Sequence, residues 1–334
     1  VKAIKPLPRR KLYEKVPLMD CFTAPCKGGC PIQQDIPEYI ELCRKGEYAS
    51  ALRLITEKNP LPFITGTICA HNCMTKCMRN YYDQPVNIRS TKLVAAEKGY
   101  DAYIAKIKAP APADTSAKVA VIGGGPTGMS AAYFLGRAGI PVTIFERTDC
   151  LGGVVRQVIP AWRISDDAID KDVALMFKMG VEVKLNTEAP SVAELKAMGY
   201  THIFFAVGAW KAGKLDIPGN IVPVIGWLKD MKAGKKVPLG HVAVVGGGNT
   251  AMDAARAALR AGAKSSTLVY RRTKKYMPAD AEELELAIAD GVQFLELVSP
   301  VEQKDGKLVC EKMKLGDPDE KGRRKPVGTG KFET

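Results

Sequence analysis

The chain has 334 residues, is 46% hydrophobic and 25% charged, and carries 49 Lys and Arg against 36 Asp and Glu, a formal net charge of +13. That length predicts two to three domains, and that apolar content is enough to bury a core, which excludes a disordered chain. No apolar run is long enough to cross a bilayer, and the basic residues are scattered without a zinc-finger, RNP or helix-turn-helix pattern, so neither a membrane span nor a nucleic-acid partner is expected.

The first stretch, "VKAIKPLPRRKLYEKVPLMD", is basic but has no apolar segment, so it is not read as a signal peptide. Six of the nine cysteines then fall in two short runs. "CFTAPCKGGCP" carries Cys21, Cys26 and Cys30, and "CAHNCMTKC" carries Cys69, Cys73 and Cys77. A secreted disulfide scaffold is shorter and spreads its cysteines throughout, so this clustering predicts metal ligation in a cytoplasmic protein. Short spacings ending in Cys-Pro favour iron–sulfur clusters, which need several thiolates converging on one small space. Zinc is the alternative, because the Cys69 and Cys73 pair has a zinc-like spacing. His71 is read as a hydrogen-bonding or surface residue, and the isolated Cys43, Cys150 and Cys310 are given no role. Between the runs, Leu42, Ala49, Leu52 and Ile55 recur at helical spacing. An all-α domain is expected over 1–105, followed by a Pro- and Ala-rich linker, "KAPAPADTSA", within 106–117.

At Lys118 the texture changes to strand, glycine turn, helix and strand, the signature of a doubly wound sheet. Strand "KVAVI" leads into Gly123-x-Gly125-x-x-Gly128. Gly123 permits the tight turn, Gly125 lets the backbone approach a pyrophosphate, and Gly128 lets helix and strand pack closely. The helix start offers free N–H groups and a positive dipole to the phosphates. The next strand ends in Glu146, placed to accept from a ribose diol. Gly152 and Gly153 follow in "CLGGVVRQVIPAWR", and "THIFFAVGAW" reads as a strand ending in a glycine turn. A looser hinge is expected at "MKAGKKVPL", Met231 to Leu239, before a second unit opens at His241. Its loop, Gly246-x-Gly248-x-x-Ala251, changes one letter, and its second strand ends in Arg271 and Arg272 where the first ends in Glu146. Guanidinium groups grip a 2′-phosphate that a carboxylate would repel, so the second site is expected to take NADP(H). Two nucleotide sites of unlike ribose chemistry, in this order, point to a flavoprotein with FAD in the first module and a nicotinamide in the second.

With these motifs in place, the chain resembles the small subunit of bacterial glutamate synthase and the N-terminal part of dihydropyrimidine dehydrogenase. Through "LGDPDEKGRRKPV" it is also similar to the selenate reductase iron–sulfur subunit family. The resemblance implies an α/β architecture: an N-terminal all-α iron–sulfur domain followed by two Rossmann-like, doubly wound nucleotide-binding domains. These are the FAD domain over 118–228 and the NADPH domain over 229–334, and the FAD domain lacks its C-terminal part because the chain ends at Thr334. It implies that NADPH reduces FAD and that electrons leave through two [4Fe-4S] clusters to an electron-accepting partner subunit or domain. One cluster would draw on Cys21, Cys26 and Cys77, the other on Cys30, Cys69 and Cys73, and the family pattern expects further ligands where this chain has Leu18 and Lys92. FAD contacts carry over to Gly125, Pro126, Thr127, Gly128, Met129, Glu146, Arg147, Gly152, Gly153, Val154 and Arg163, beside the turn at Gly123. NADPH contacts carry over to Gly247, Gly248, Asn249, Thr250, Arg271 and Arg272, beside the turn at Gly246. No side-chain acid or base is required for the transfer, so no catalytic residue is named.

Two other functions compete. A disulfide reductase would need a redox Cys-x-x-Cys near the flavin, and none lies between Val119 and Thr334. A zinc- or cluster-bearing scaffold without its own turnover would keep the cysteines and lose the nucleotide chemistry.

Overall fold

The computed structural model describes residues 23–211, 213, 215–320 and 324–334, so the expectations at Leu18 and Cys21 lie outside the described residues. Two compact units emerge: one runs up to Arg156 and again over Ala161–Gly208, the other over Gln157–Pro160 and Ala209–Thr334.

The first unit opens with helices α1 (Pro25–Gly29), α2 (Ile36–Arg44), α3 (Tyr48–Thr56), α4 (Pro62–Ile68), α5 (Asn72–Thr75) and α6 (Ile88–Ile104). Proline occupies the first turn of α1, α2 and α4, where its fixed φ suits the helix and its missing N–H leaves no bond unmade. The stripe read from the sequence faces inward. Leu52 and Ile55 are fully buried, and Ile36, Tyr39, Ala51, Cys73, Ile88 and Ala95 complete the core around Ile55. The start of α3 meets α6 at Gly99, where any Cβ would collide with the Tyr48 carbonyl oxygen.

After Ile104 no helix or strand forms until β1 (Val119–Ile122). There follow α7 (Pro126–Arg137), β2 (Val142–Phe145), α8 (Gly153–Gln157), α9 (Asp166–Phe177), β3 (Glu182–Lys184), α10 (Val192–Ala197) and β4 (His202–Phe205). The strands form one parallel sheet in the order β3-β2-β1-β4. Every residue of β1 and β2 is buried, as a parallel sheet covered on both faces requires. Ser165 caps α9 by accepting from the Ala168 N–H, and Ser191 and Glu194 form a capping box on α10. Asp172 of α9 is completely buried and accepts from the backbone N–H groups of Phe63 (3.0 Å) and Ile64 (2.8 Å), which ties the sheet's helix to the first turn of α4.

The second unit carries α11 (Val224–Lys232), β5 (His241–Val245), α12 (Asn249–Arg260), β6 (Ser265–Tyr270), α13 (Ala281–Ala289) and β7 (Gln293–Glu296), with a parallel sheet in the order β5-β6-β7. The stretch read as a hinge from Met231 begins inside α11. That helix ends at Lys232, and Gly234, with φ +71° and its N–H donating to the Met231 carbonyl, closes a left-handed cap. Ala251, Met252, Ala255, Leu268, Leu284, Ala287 and Val292 form the core. Arg256 of α12 is buried among carboxylates: its Nε donates to Asp290 at 2.9 Å, and Glu283 lies 3.7 Å from its guanidinium. The unit closes with an antiparallel sheet, β8 (Val298–Lys304), β9 (Lys307–Pro318) and β10 (Arg324–Glu333), which the sequence reading did not anticipate. Its signal was present: Asp305-Gly306, both at positive φ, is a two-residue hairpin turn. Cys310 is buried and packs with Val269 and Val298 as a small apolar side chain.

Candidate functional site

The two cysteine runs converge because α1, α5 and α6 are packed on one helical core. Cys73 is buried in that core, and Cys26, Cys30 and Cys43 pack against it. Cys73 lies in the electrostatic field of Cys69 and Cys30, and Cys26 in that of Cys77 and Cys30. Burial pushes the Cys73 thiol up to about 11 and the Cys26 thiol above its ordinary value. Such thiols stay neutral until a metal holds them as thiolates. Among the described residues, no three His, Cys, Asp or Glu side chains are spaced for a single metal ion. A four-iron cluster spreads its ligands over separate irons, and soft thiolates from two chain segments facing one region fit that demand.

Around Cys69 stand His71 and Arg89, the second of which the sequence reading passed over. His71 has a left-handed backbone, and its N–H donates to Cys69 Sγ at 3.4 Å. Arg89 on α6 donates to the Cys69 carbonyl at 3.3 Å and stands 3.0 Å from His71 Nδ1, so His71 does hydrogen-bond, as expected for it. Lys92, one turn along α6, is 5% exposed; its ammonium is held below the usual lysine range by desolvation, opposed by the Cys69, Cys30 and Cys73 charges.

In the first parallel sheet Gly123 makes the turn and Gly128 the close helix packing read from their spacing. Gly123 turns at φ +105°, and a Cβ there would stand 2.5 Å from the Ala206 carbonyl oxygen. A Cβ on Gly128 would collide with the Gly123 carbonyl oxygen, so the helix lies as close to the strand as backbone permits. Gly125 caps α7 without a side chain, and Gly153 approaches it so closely that a Cβ on Gly153 would sit 2.9 Å from the Gly125 Cα. Pro126 takes the first helical position, Thr127 is exposed, and Met129 is buried in the core. Glu146 is buried at the end of β2. Its carboxylate accepts from the Gly124 N–H at 2.7 Å and from the Thr148 N–H and hydroxyl at 2.9 and 2.8 Å. The backbone partner Gly124 is invisible in a motif, yet it aims the carboxylate at the glycine loop. A carboxylate has about four acceptor positions, so capacity remains for a diol. Arg147 is exposed, Gly152 donates to the Gly124 carbonyl at 2.9 Å, and Val154 is half-buried in α8. Arg163 lies apart from these: it lines a cleft of about 350 Å³ with Phe63, Thr67, Trp162 and Lys171, and no glycine-loop residue shares that lining.

The second loop is built alike with more slack. Gly246 turns at φ +148°, Gly248 caps α12, and a Cβ on Gly247 would meet the Tyr270 ring at 2.5 Å. Asn249 is engaged by Asp280, whose N–H donates to its Oδ1 at 3.1 Å, and Thr250 is exposed at the helix start. Arg271 is exposed and Arg272 is half-buried, with its Nε enclosed and lacking a hydrogen-bond partner. Two guanidiniums at a strand end, in a unit whose α12 start carries no side-chain cap, are the kind of groups that a phosphate needs.

Comparison with known proteins gives this geometry its relatives. Residues 117–330 match the family model described as pyridine nucleotide-disulphide oxidoreductase, and residues 14–103 match dihydropyrimidine dehydrogenase domain II, 4Fe-4S cluster. The chain is 45% identical over 337 residues to the oxidoreductase YgfK of Escherichia coli K12, covering 99% of this chain and 33% of that protein. It is 37% identical to the NADPH-Fe(3+) oxidoreductase subunit beta of Geobacter sulfurreducens, covering 92% of this chain and 48% of the relative. It is 30% identical to the glutamate synthase [NADPH] small chain of Escherichia coli K12, covering 92% of this chain and 70% of the relative. The chain thus spans a third to a half of the first two relatives' own length. The first family match carries FAD and NAD(P) as its cofactors and the second a 4Fe-4S cluster. On the strength of its parallel sheets, its glycine loops and this match, the chain belongs to the pyridine nucleotide-disulphide oxidoreductase family.

Proposed function

We propose that the chain is the electron-input module of an NADPH-dependent flavin and iron–sulfur oxidoreductase that delivers electrons to a partner subunit or domain. The observation that carries this reading is the contrast between two strand ends: a buried carboxylate, Glu146, at one, and the paired guanidiniums of Arg271 and Arg272 at the other. Bound FAD supplies what side chains lack, acceptance of two electrons from NADPH and their release one at a time. The chain's own residues do the rest. Glu146, aimed by Gly124 and Thr148, would accept from the flavin's ribose, and the free N–H groups at the α7 start would hold its pyrophosphate. The guanidiniums of half-buried Arg272 and exposed Arg271 would select the 2′-phosphate. Cys26, Cys30, Cys69, Cys73 and Cys77, with Cys21, hold two iron–sulfur clusters.

Support for a partner comes from the relatives, which are named as a beta subunit and a small chain. The net charge of +13 suits docking to an acidic surface. No helix among the described residues is long and apolar enough to cross a membrane. A cytoplasmic setting belongs to the same reading, since it keeps the ligand thiols reduced. The test is anaerobic mixing of the full polypeptide with NADPH and, separately, NADH. Flavin absorbance bleaches rapidly with NADPH and slowly with NADH. Absence of bleaching, or equal rates with the two nucleotides, overturns the reading.

A further inference from the structure

Lys92 is the one lysine in the buried class among the described residues. It sits on α6 between Ile88 and Ala95, which share a core with Cys73, and one turn from Arg89, which donates to the Cys69 carbonyl at 3.3 Å; Cys69, Cys30, Cys73, Arg89 and Asp172 lie within its field. Asp172 is committed elsewhere, since both of its oxygens accept from the first turn of α4. Taking an ammonium out of water costs several kcal/mol unless anions compensate. Neutral thiols do not provide that compensation, whereas thiolates held by a metal do. The same attraction acts on the metal group. Each added electron brings negative charge, so a nearby cation stabilises the reduced form more than the oxidised one, and the low dielectric around a buried site strengthens the effect.

We propose that Lys92 is a positioning residue whose buried ammonium compensates the thiolates of Cys30, Cys69 and Cys73 and raises the reduction potential of the iron–sulfur cluster they hold. This rests on the reading that those cysteines hold such a cluster. The role is electrostatic; the side chain donates no electron pair to iron. Because Lys92 lies in the field of Cys69, Cys30 and Cys73, its charge acts first on the cluster those cysteines hold and makes that cluster the easier electron acceptor.

The experiment is an EPR-monitored redox titration of the full polypeptide with its iron in place, for the parent and for Lys92→Met, Lys92→Gln and Lys92→Arg, with iron counted per chain. The neutral variants are expected to lower the potential of one cluster, so that its reduced-to-oxidised ratio at a fixed potential falls tenfold or more, about 59 mV for one electron. The second cluster stays within threefold of the parent, and Lys92→Arg restores the first to the same range. Loss of iron from both neutral variants but not from Lys92→Arg also supports the proposal. An unchanged potential in iron-replete Lys92→Met, a shift that Lys92→Arg does not reverse, or loss of iron from Lys92→Arg overturns it. So does a strongly coupled ¹⁵N signal from labelled lysine in the parent, which would make the side chain a ligand. Parent protein without iron would instead remove the functional reading on which the proposal stands.

Discussion

The two βαβ units share a motif and differ in how tightly it is held. In the first, β1 and β2 are buried along their whole length, and the third glycine of the loop, Gly128, has no room for a methyl group. In the second, β5 alternates between exposed and half-buried residues, and the corresponding position is already Ala251. A Cβ built on Gly246 would stay 3.4 Å from that of Ala251, an ordinary contact. The same letters therefore carry different tolerances. One loop is clamped between strand and helix by backbone contact, while the other keeps a methyl's width and relies on charge at the strand end to choose its ligand.

That contrast is easiest to break at Gly128. Gly128→Ala drives a Cβ into the Gly123 carbonyl, which cannot move without the strand, so a loss of about 3 kcal/mol is expected together with loss of flavin. Flavin content and thermal melting check this, and a variant that keeps its flavin and melts with the parent refutes the clamp. Next in size, replacing Arg271 and Arg272 by glutamine is expected to weaken NADPH binding about 30-fold, equivalent to about 2 kcal/mol, and to leave NADH unchanged. Dissociation constants for the two nucleotides decide it; a parallel loss for both would mean that the arginines only shape the strand end.

A third measurement addresses what holds the first unit together. Burial pushes the Asp172 carboxyl up to about 8, against the pull of the Ile64 and Phe63 N–H groups, while an unfolded aspartate titrates near about 3.9. Between those values the folded chain keeps a proton that the unfolded chain has released. Stability from this group is therefore full below about pH 4 and is lost as pH rises toward about 8, by at most about 1.4 kcal/mol per unit. Denaturation of the parent should show that slope and Asp172→Asn should not; parallel profiles would remove Asp172 as its source. The smallest effect belongs to Ala251→Gly, expected to cost about 0.5–1 kcal/mol through helix propensity alone with NADPH affinity unchanged, as titration and melting together would show. A large loss there would mean that the second loop is as tight as the first.

Much of the glycine-loop chemistry was legible because each glycine is needed for a local reason, a turn at Gly123 or a close approach at Gly128, and local reasons leave a fixed spacing. The Asp305-Gly306 hairpin was equally local and simply went unread. Other features were not legible in principle. Asp172 meets Phe63 and Ile64 across more than 100 positions, and nothing in the spacing of either segment announces the other. The engagement of Glu146 by Gly124 depends on where β2 ends relative to the loop, which is a matter of sheet register. Arg163 was assigned to the flavin by resemblance, and its cleft beside Thr67 and Lys171 was visible only once the helices were packed.

Residue order alone determined the element types, the two unlike strand ends and the pairing of thiol-rich helices with parallel sheets, because hydrophobic period, glycine spacing and charge are written locally. Tertiary structure decided which thiols share a field, that Lys92 is buried among them, and that one glycine loop is clamped while its counterpart is not. Those outcomes depend on backbone approach and desolvation, which arise only when distant segments pack.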